Sequence, residues 1–435
     1  MNPHSDRIVV NRLGRAVNGT ARIPGSKSIT NRAIILAICG EATSVIRDPL
    51  FSDDTYQGVK AAEALGCEVR TTPDSITIRG IGRRRPVTGA SIDVGSAGTI
   101  ARFLPCVLAF GEAGEWELTA SEQMTKRPMG GLIRALSWLG DTVTCLGAAD
   151  HYPLRVRGDA VRRFDVEVDG SVSSQYLSGL LLAAPLLPEP LTITTDGEIV
   201  QSEYVGMTID CMRLFGAEVE VTDGWKRLKV LPGAYTGASI DVEADASTAS
   251  YFAALPAVTG GTVELPNLSR NSRQPDTRFL SILETFGCTV HWNGERGVRV
   301  TGPEGPLRGG HTLDLNDCSD VALTTAAVSV FADAPVEITG VEHIRHHECD
   351  RVSAMTEALR ALGVRVEERR DGWKIWPSTP GFAEVGTRDD HRVAMACSVI
   401  GLGGNGVSLD HPFCVNKTCP NFFELLTGLG AVVDG

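Results

Sequence analysis

The 435-residue sequence predicts an α/β protein built from six copies of one βαβαββ unit. The first observation is a recurring pattern in which an apolar residue and a glycine separate an amphipathic run from a short β-branched stretch. A glycine in this setting is typical of a left-handed helix cap followed by a strand. The glycines lie 67 to 76 residues apart, which predicts a unit of about seventy residues; they are Gly66, Gly140, Gly216, Gly287, Gly363 and Gly430. We expect the strands after them to end at Val69, Val143, Val219, Val290, Val366 and Val433.

The second observation is another set of positions with the same period, at the predicted starts of six further helices. Segments such as TIARFLPCVLAF and HRVAMACSVIGL are apolar nearly all round, which indicates burial on every side. The Gly-capped helices carry charge on one face, so we expect them at the surface. Each unit is therefore predicted to hold one buried and one surface helix between strands. The predicted starts of the buried helices are Lys27, Gly98, Ser173, Ser247, Asp320 and His391.

Composition narrows the classes of partner and compartment. A net charge of −12 disfavours nucleic acid and anionic membranes as partners. No apolar run approaches the length needed to cross a membrane, and the N-terminal MNPHSDRIVV lacks a signal-peptide core. The eleven cysteines form no CxxC pair, which favours reduced core residues. We therefore expect a cytoplasmic protein that acts on small molecules.

Cations stand close to several predicted helix starts, where the helix dipole favours anions. Lys27 opens one buried helix, Arg32 follows about one turn later, and Arg392 follows the start of another. Arg127 precedes Pro128, which we place at a first helical position. An anionic ligand would resolve this conflict, because unpaired N–H groups at helix starts bind phosphates and carboxylates. The alternative is that these are solvated charges or partners of nearby acids.

Other chemistries fit the sequence less well. GSKS lacks the glycine directly before lysine that a phosphate-binding loop of nucleotide kinases needs. The segment HIRHHE, residues 343–348, offers metal-ligand types but not the HExxH spacing. No serine or cysteine sits in a recognisable nucleophile elbow. We therefore expect acid–base and electrostatic chemistry, with no metal and no cofactor.

Eight motifs in order along the chain resemble those of the 5-enolpyruvylshikimate-3-phosphate synthase family of enolpyruvyl transferases. They are GSKSITNR, GSAGT, MTKRPMG, DGSVSSQYL, EADASTASYF, HECDR, DDHRVAM and NKTCP. The resemblance implies two inside-out α/β domains, each of three βαβαββ units with buried parallel helices. One domain would hold residues 1–24 and 244–435, and the other residues 25–243. A monomer is also implied.

The resemblance further implies transfer of the enolpyruvyl group of phosphoenolpyruvate to shikimate 3-phosphate, without metal. The implied catalytic residues are Asp320 as proton acceptor, Glu348 as its counterpart and Lys27 as a further acid. Asp320 could instead be a helix cap, and Glu348 a structural partner of Arg345 or Arg351. The implied phosphoenolpyruvate ligands are Lys27, the backbone at Gly98, Arg127, Arg351, Arg392 and Lys417. The implied acceptor ligands are Lys27, Ser28, Arg32, Ser173, Ser174, Gln175, Gln201, Tyr204, Asp320, His343 and His347.

Three of the acceptor positions depart from the family pattern. Gln201 stands where serine is usual, His343 where many members have asparagine, and His347 where many have lysine. A histidine at position 347 would hold phosphate less well as pH rises through its titration range. Two alternatives therefore stay open: an enolpyruvyl transferase with another phosphorylated acceptor, such as a nucleotide, and a non-catalytic anion-binding relative.

Overall fold

The computed structural model describes residues 7–197 and 199–435, so the first six residues of the N-terminal segment assessed above lie outside the described residues. The chain divides into two compact units. One unit, here the split unit, consists of Met1–Pro24, described from residue 7, and Glu243–Gly435. The other, here the continuous unit, is Gly25–Val242.

The helices alternate between buried and surface positions along the chain. In chain order they are α1 (Lys27–Cys39), α2 (Asp53–Ala64), α3 (Gly98–Ala109), α4 (Glu122–Thr125), α5 (Gly130–Leu139), α6 (Ser174–Ala183), α7 (Ser202–Leu214), α8 (Ala246–Thr259), α9 (Arg278–Thr285), α10 (Ala322–Ser329), α11 (Arg351–Ala361), α12 (His391–Gly403) and α13 (Phe422–Gly428). Short 3-10 turns cover Ala184–Leu186, Pro275–Thr277, Ser319–Val321, Glu342–His346 and Pro412–Lys417.

The strands are mostly three to six residues long. In chain order they are β1 (Arg7–Val10), β2 (Val17–Thr20), β3 (Thr43–Arg47), β4 (Glu68–Thr72), β5 (Ser75–Arg79), β6 (Ser91–Asp93), β7 (Gly114–Thr119), β8 (Val143–Cys145), β9 (Leu154–Gly158), β10 (Asp165–Asp169), β11 (Leu191–Asp196), β12 (Val219–Thr222), β13 (Arg227–Val230), β14 (Ser239–Asp241), β15 (Gly261–Ser269), β16 (Thr289–Trp292), β17 (Arg296–Thr301), β18 (Thr312–Asp314), β19 (Val336–Thr339), β20 (Val366–Arg369), β21 (Gly372–Ile375), β22 (Glu384–Val385), β23 (Val407–Asp410) and β24 (Val433–Asp434).

The predicted βαβαββ repeat is confirmed, since the strands form six four-stranded sheets with one topology. In the sheet β6-β7-β9-β8, the first two strands pair in parallel across α3, and β9 pairs antiparallel with both β7 and β8. Two sheets take a strand from the far end of their unit: β14 completes the sheet of β3, β4 and β5, and β1 completes that of β22, β23 and β24. Likewise β2 pairs with β15, so both segments of the split unit belong to the same sheets.

The helices predicted to be buried are buried. In the continuous unit α1, α3 and α6 pack against one another, and every residue of α3 is buried. In the split unit α8, α10 and α12 do the same, and α12 is buried from His391 to Leu402. None of these six helices carries an acidic residue in its first turn. Their positive N-terminal ends are therefore not neutralised from within the first turn.

Two details of the predicted pattern are wrong. Five of the repeat glycines are left-handed, with φ between 79° and 98°, but Gly140 has an extended φ of 167°. At Gly140 the neighbouring backbone leaves no room for a side chain, because a Cβ there would lie 2.1 Å from the Ala160 carbonyl oxygen. The strands also do not end at the predicted valines: β8, β12, β20 and β24 begin there. The polar residues that follow them continue the strand in antiparallel pairing, as Glu220 does with Lys229.

Candidate active site

Lys27 opens α1 in the continuous unit, as predicted. The helix is capped by Ser26, whose Oγ accepts a hydrogen bond from the Ile29 N–H at 3.5 Å. The Nζ of Lys27 lies 3.5 Å from Oδ2 of Asp54, a buried acid near the start of α2. A neighbouring acid therefore offsets part of the conflict between Lys27 and the helix dipole.

Arg32 contacts two other predicted acceptor residues, Ser28 and Tyr204, and also Thr208. Its guanidinium donates to Thr208 Oγ1 at 2.8 Å, to the Tyr204 carbonyl at 3.2 Å and to the Ser28 carbonyl at 3.0 Å. It also lies over the Phe103 ring, 5.4 Å from the centroid. Burial lowers the pKa of Arg32, and no carboxylate among the described residues lies within 4.0 Å of it. The site therefore holds a buried cation whose charge is not balanced by an adjacent acid.

Gly98 and Arg127 lie side by side at the start of α3. A Cβ added to Gly98 would sit 2.4 Å from Arg127 Nη1 and 3.1 Å from Nη1 of Arg102, a residue that the sequence analysis missed. Pro128 is not at a first helical position, because α5 begins at Gly130. The Pro128 carbonyl instead accepts hydrogen bonds from Arg102 Nη2 and from the Tyr176 hydroxyl.

The predicted serine pair lies at the start of α6. Ser173 caps the helix by accepting from the Gln175 N–H at 3.3 Å, and Ser174 is buried. The Oε1 atom of Gln175 is buried and, within the described part of the chain, has no hydrogen-bond donor. Gln201 stands just before α7 with a left-handed φ of 52°, and its carbonyl accepts from the Tyr204 N–H at 3.0 Å. The unsatisfied Gln175 oxygen can accept a hydroxyl donor from a ligand.

Arg351 is the centre of a buried charge cluster in the split unit. Its Nε lies 2.8 Å from Asp390 Oδ2, its Nη2 2.8 Å from Glu348 Oε2, and its Nη1 3.2 Å from Asp320 Oδ1. Burial opposes the charge, but the surrounding carboxylates, Asp390 foremost, raise the pKa of Arg351 overall. The guanidinium is thus fixed as a cation and held by three acids at once.

The two predicted catalytic acids each contact a second cation. Asp320 Oδ2 lies 2.7 Å from Arg392 Nη2, and Glu348 Oε1 lies 3.2 Å from Lys417 Nζ. Asp320 lies in the 3-10 turn Ser319–Val321, directly before α10. Glu348 is indeed a partner of Arg351, whereas no ion pair between Glu348 and Arg345 occurs in the described chain. The arrangement places two carboxylates among three cations.

The two histidines next to this cluster are held by the protein itself. His347 Nδ1 lies 2.9 Å from Arg351 Nη1, and His343 Nε2 lies 2.8 Å from Ser319 Oγ. Burial lowers the pKa of His343, and burial with the Arg351 charge places the pKa of His347 well below its usual range. Holding of phosphate by His347 stays a prediction, and the nearby Arg351 guanidinium opposes protonation of its ring.

Sequence reasoning missed three residues that hold the predicted ones in place. They are Asp54 beside Lys27, Arg102 beside Gly98, and Asp390 beside Arg351. Asp390 also caps α12, where its Oδ1 accepts from the Arg392 N–H at 2.9 Å. Its contact with Arg351, 39 positions away, leaves no local signal in the sequence. As for metals, no group of three or more potential ligand side chains in residues 7–197 and 199–435 is arranged to hold an ion.

Comparison with known proteins points to one family. The family model described as EPSP synthase (3-phosphoshikimate 1-carboxyvinyltransferase) matches residues 12–426. The chain is 44% identical over 423 residues to 3-phosphoshikimate 1-carboxyvinyltransferase 2 of Halalkalibacterium halodurans, covering 97% of this chain and 94% of that protein. It is 39% identical over 421 residues to 3-phosphoshikimate 1-carboxyvinyltransferase of Trichormus variabilis, covering 96% and 98%.

Solved structures agree in fold. EPSP synthase from Acinetobacter baumannii superposes with a TM-score of 0.83 at 23% identity, covering 99% of this chain and 100% of that one. The enolpyruvyl transferase NikO from Streptomyces tendae superposes with a TM-score of 0.77 at 14% identity, covering 98% of each chain. At these identities the likeness establishes the two-domain α/β fold of the enolpyruvyl transferases. Within the described residues, no helix is long and apolar enough to cross a membrane.

Proposed function

The chain belongs to the EPSP synthase (3-phosphoshikimate 1-carboxyvinyltransferase) family, and we propose that it performs this family's reaction with the residues described above. The reaction transfers the enolpyruvyl group of phosphoenolpyruvate to the 5-hydroxyl of shikimate 3-phosphate and releases phosphate. It serves the biosynthesis of aromatic amino acids. The observation that carries the assignment of residues is the Arg351 cluster, in which two carboxylates and three cations lie within hydrogen-bond reach of one another.

Phosphoenolpyruvate, an anion with a carboxylate and a phosphate, is bound mainly by cationic side chains. The ligands are Lys27, the backbone at Gly98, Arg127, Arg351, Arg392 and Lys417. The adjacency of Gly98 and Arg127 supports this set, because backbone N–H groups at a helix start and a guanidinium, both of which bind anions, lie side by side there. Arginine suits both ends of this substrate, since its planar fork donates two parallel hydrogen bonds to carboxylate or phosphate oxygens.

The acceptor is bound mainly by polar groups at helix starts. Its ligands are Lys27, Ser28, Arg32, Ser173, Ser174, Gln175, Gln201, Tyr204, Asp320, His343 and His347. Arg32 supports this set because it is buried and no carboxylate of the described residues lies beside it, so an anionic ligand would offset the cost of its burial. Gln175 Oε1, which is buried and has no donor in residues 7–197 and 199–435, is suited to accept from a ring hydroxyl. His343 and His347 act as neutral hydrogen-bonding groups.

Asp320 and Glu348 carry the proton transfers, with Lys27 as a further acid. Asp320 removes the proton of the attacking hydroxyl as its oxygen bonds to C2 of phosphoenolpyruvate. An acid, Glu348 or Lys27, protonates the methylene carbon, which gives a tetrahedral intermediate. The same carbon then loses a proton as the C–O bond to phosphate breaks. Two carboxyl groups with different cation partners can divide these roles, because the partners set which form of each is favoured.

The test is phosphate release from phosphoenolpyruvate by the purified protein, with shikimate 3-phosphate and with a panel of phosphorylated alcohols and nucleotides as acceptors. Release that requires shikimate 3-phosphate supports the proposal. Turnover only with another acceptor would assign the chain to a different acceptor and give the changes at Gln201, His343 and His347 a role in specificity. Binding of ligands without any release would indicate a non-catalytic relative.

The protein acts as a monomer in the cytoplasm. Reduced cysteines support the compartment, because all eleven are free and eight of them are buried. Light scattering coupled to gel filtration, with and without both substrates, tests the monomer. A mass of about twice the 46.4 kDa of the chain would contradict it.

A further inference from the structure

Arg102 is a buried cation that the proposed mechanism does not use. It lies one turn into α3, and 3% of its surface is exposed. Nη1 donates to the Gly98 carbonyl at 2.9 Å and Nη2 to the Pro128 carbonyl at 3.3 Å. Its guanidinium also lies over the Tyr176 ring, 5.9 Å from the centroid. Arg102 therefore connects the start of α3 with the segment that follows Arg127.

The charge of Arg102 is not balanced by a neighbouring acid. No carboxylate oxygen in the described ranges lies within 4.0 Å of its guanidinium, and Nε is buried without an acceptor there. Burial, with the like charge of Arg127 second, lowers the pKa of Arg102 to about 10. The guanidinium groups of Arg102 and Arg127 thus both lie next to Gly98, where each raises the free-energy cost of burying the other's charge. An anion bound next to the two groups would offset this cost.

The Arg102 side chain also does something that a neutral residue could not. The Tyr176 hydroxyl already donates to the Pro128 carbonyl at 2.8 Å, so this carbonyl would keep a donor without Arg102. What would be lost is the Arg102 side-chain bond to the Gly98 carbonyl and the positive charge beside this helix start. The N-terminus of α3 at Gly98 adds positive potential, because its first turn carries no acidic residue.

We propose that Arg102 is a positioning residue for phosphoenolpyruvate. It holds the Gly98 backbone and the Arg127 segment at a fixed separation, and its charge adds to the field that attracts the anion. The inference rests on the proposed function, since it takes Gly98 and Arg127 as ligands of phosphoenolpyruvate. Arg102 does not contact the reacting atoms, so its effect is on the affinity for this substrate.

The test compares Arg102→Met, which keeps an unbranched apolar stem but loses the guanidinium and its charge, with Arg102→Lys, which keeps charge but cannot bond both carbonyls. Arg79→Met is the matched control, because Arg79 is exposed on β5 of the same unit. We expect Arg102→Met to raise KM for phosphoenolpyruvate about tenfold or more, as for loss of a charged hydrogen-bonding group, and Arg102→Lys to raise it less. KM for shikimate 3-phosphate should stay within about twofold in both variants, and the control should match wild type.

Two results would overturn the inference. One is an unchanged KM for phosphoenolpyruvate in the Met variant. The other is a rise in both KM values together with a lower Tm, which would indicate a purely structural residue. If Arg102→Met does not fold, Arg102→Lys decides, because a phosphoenolpyruvate KM equal to wild type would exclude the bridging role. If wild type itself shows no turnover, the proposed function fails, and equilibrium dialysis of phosphoenolpyruvate against wild type and both variants still decides whether Arg102 supports its binding.

Discussion

Gly98→Ala is the substitution for which the structure gives the sharpest expectation. The added Cβ would lie 2.4 Å from Arg127 Nη1 and 3.1 Å from both Arg127 Cζ and Arg102 Nη1. The backbone of Gly98 is helical and needs no left-handed conformation, so alanine meets no backbone strain. The clash is with the ends of flexible side chains. We therefore expect the fold to stay intact while the Arg127 guanidinium moves by about 1 Å, the shift that restores ordinary van der Waals contact.

The expected change in KM follows from the loss of a proposed hydrogen bond between the Arg127 guanidinium and phosphoenolpyruvate. A hydrogen bond to a charged group contributes about 1.5–3 kcal/mol, which corresponds to roughly 10–100-fold in affinity. We expect KM for phosphoenolpyruvate to rise by this factor in the phosphate-release assay. KM for shikimate 3-phosphate should change by less than about twofold, because Arg32 and the start of α6 are not among the nearest atoms to the new methyl group.

Gly428→Ala is the matched control, since Gly428 ends α13 and a Cβ there meets nothing within 4 Å. It should leave both KM values and Tm close to those of wild type. A Gly98→Ala protein with wild-type KM for phosphoenolpyruvate would refute the placement of this substrate beside Gly98 and Arg127. A large fall in Tm, with both KM values changed, would instead show that the clash disturbs the fold.

Three other perturbations concern the split unit. Asp390→Ala removes the fully buried partner of Arg351, so the free energy of unfolding, measured by urea titration, should fall by about 3–5 kcal/mol. A loss under about 1 kcal/mol would contradict the idea that Asp390 stabilises the buried Arg351 charge. Asp320→Asn should lower kcat by roughly 10²–10⁴-fold while calorimetry still detects ligand binding, and unchanged turnover would exclude Asp320 as the base. His343 and His347 both have lowered pKa values in the folded protein, so unfolded chains take up protons first as pH falls. Stability should therefore decrease as pH drops through about 6.5, and the decrease should be smaller in His347→Asn.

The sequence predicted the repeat and the buried helices because both depend on local patterns. A helix that is apolar on all sides, such as α3, has no alternative to burial, and its period reappears in each unit. The resemblance named Asp320, Glu348, Arg351, Arg392 and Lys417 as site residues, and the structure brings their side chains together. Their partner Asp390 was not named, because it meets Arg351 only after α11 and α12 have packed. The same is true of His347, whose pKa is lowered chiefly by burial that appears only in the folded protein.

The two units differ in how their cations are balanced, and the difference bears on their tasks. In the split unit Arg351 and Arg392 are paired with carboxylates, and α8 and α12 are capped by Asp245 and Asp390. In the continuous unit Arg32 and Arg102 are buried with no carboxylate within 4.0 Å in the described chain, and α1, α3 and α6 have no acid at the cap or in the first turn. A paired cluster keeps its geometry without ligand, which suits groups that must transfer protons in a fixed arrangement. An unbalanced cluster gains most from an incoming anion, which suits groups whose task is to bind one. The motifs alone do not show this difference, because GSKSITNR and DDHRVAM both place an arginine early in a buried helix, and only the arginine of the second is paired with a carboxylate, that of Asp320.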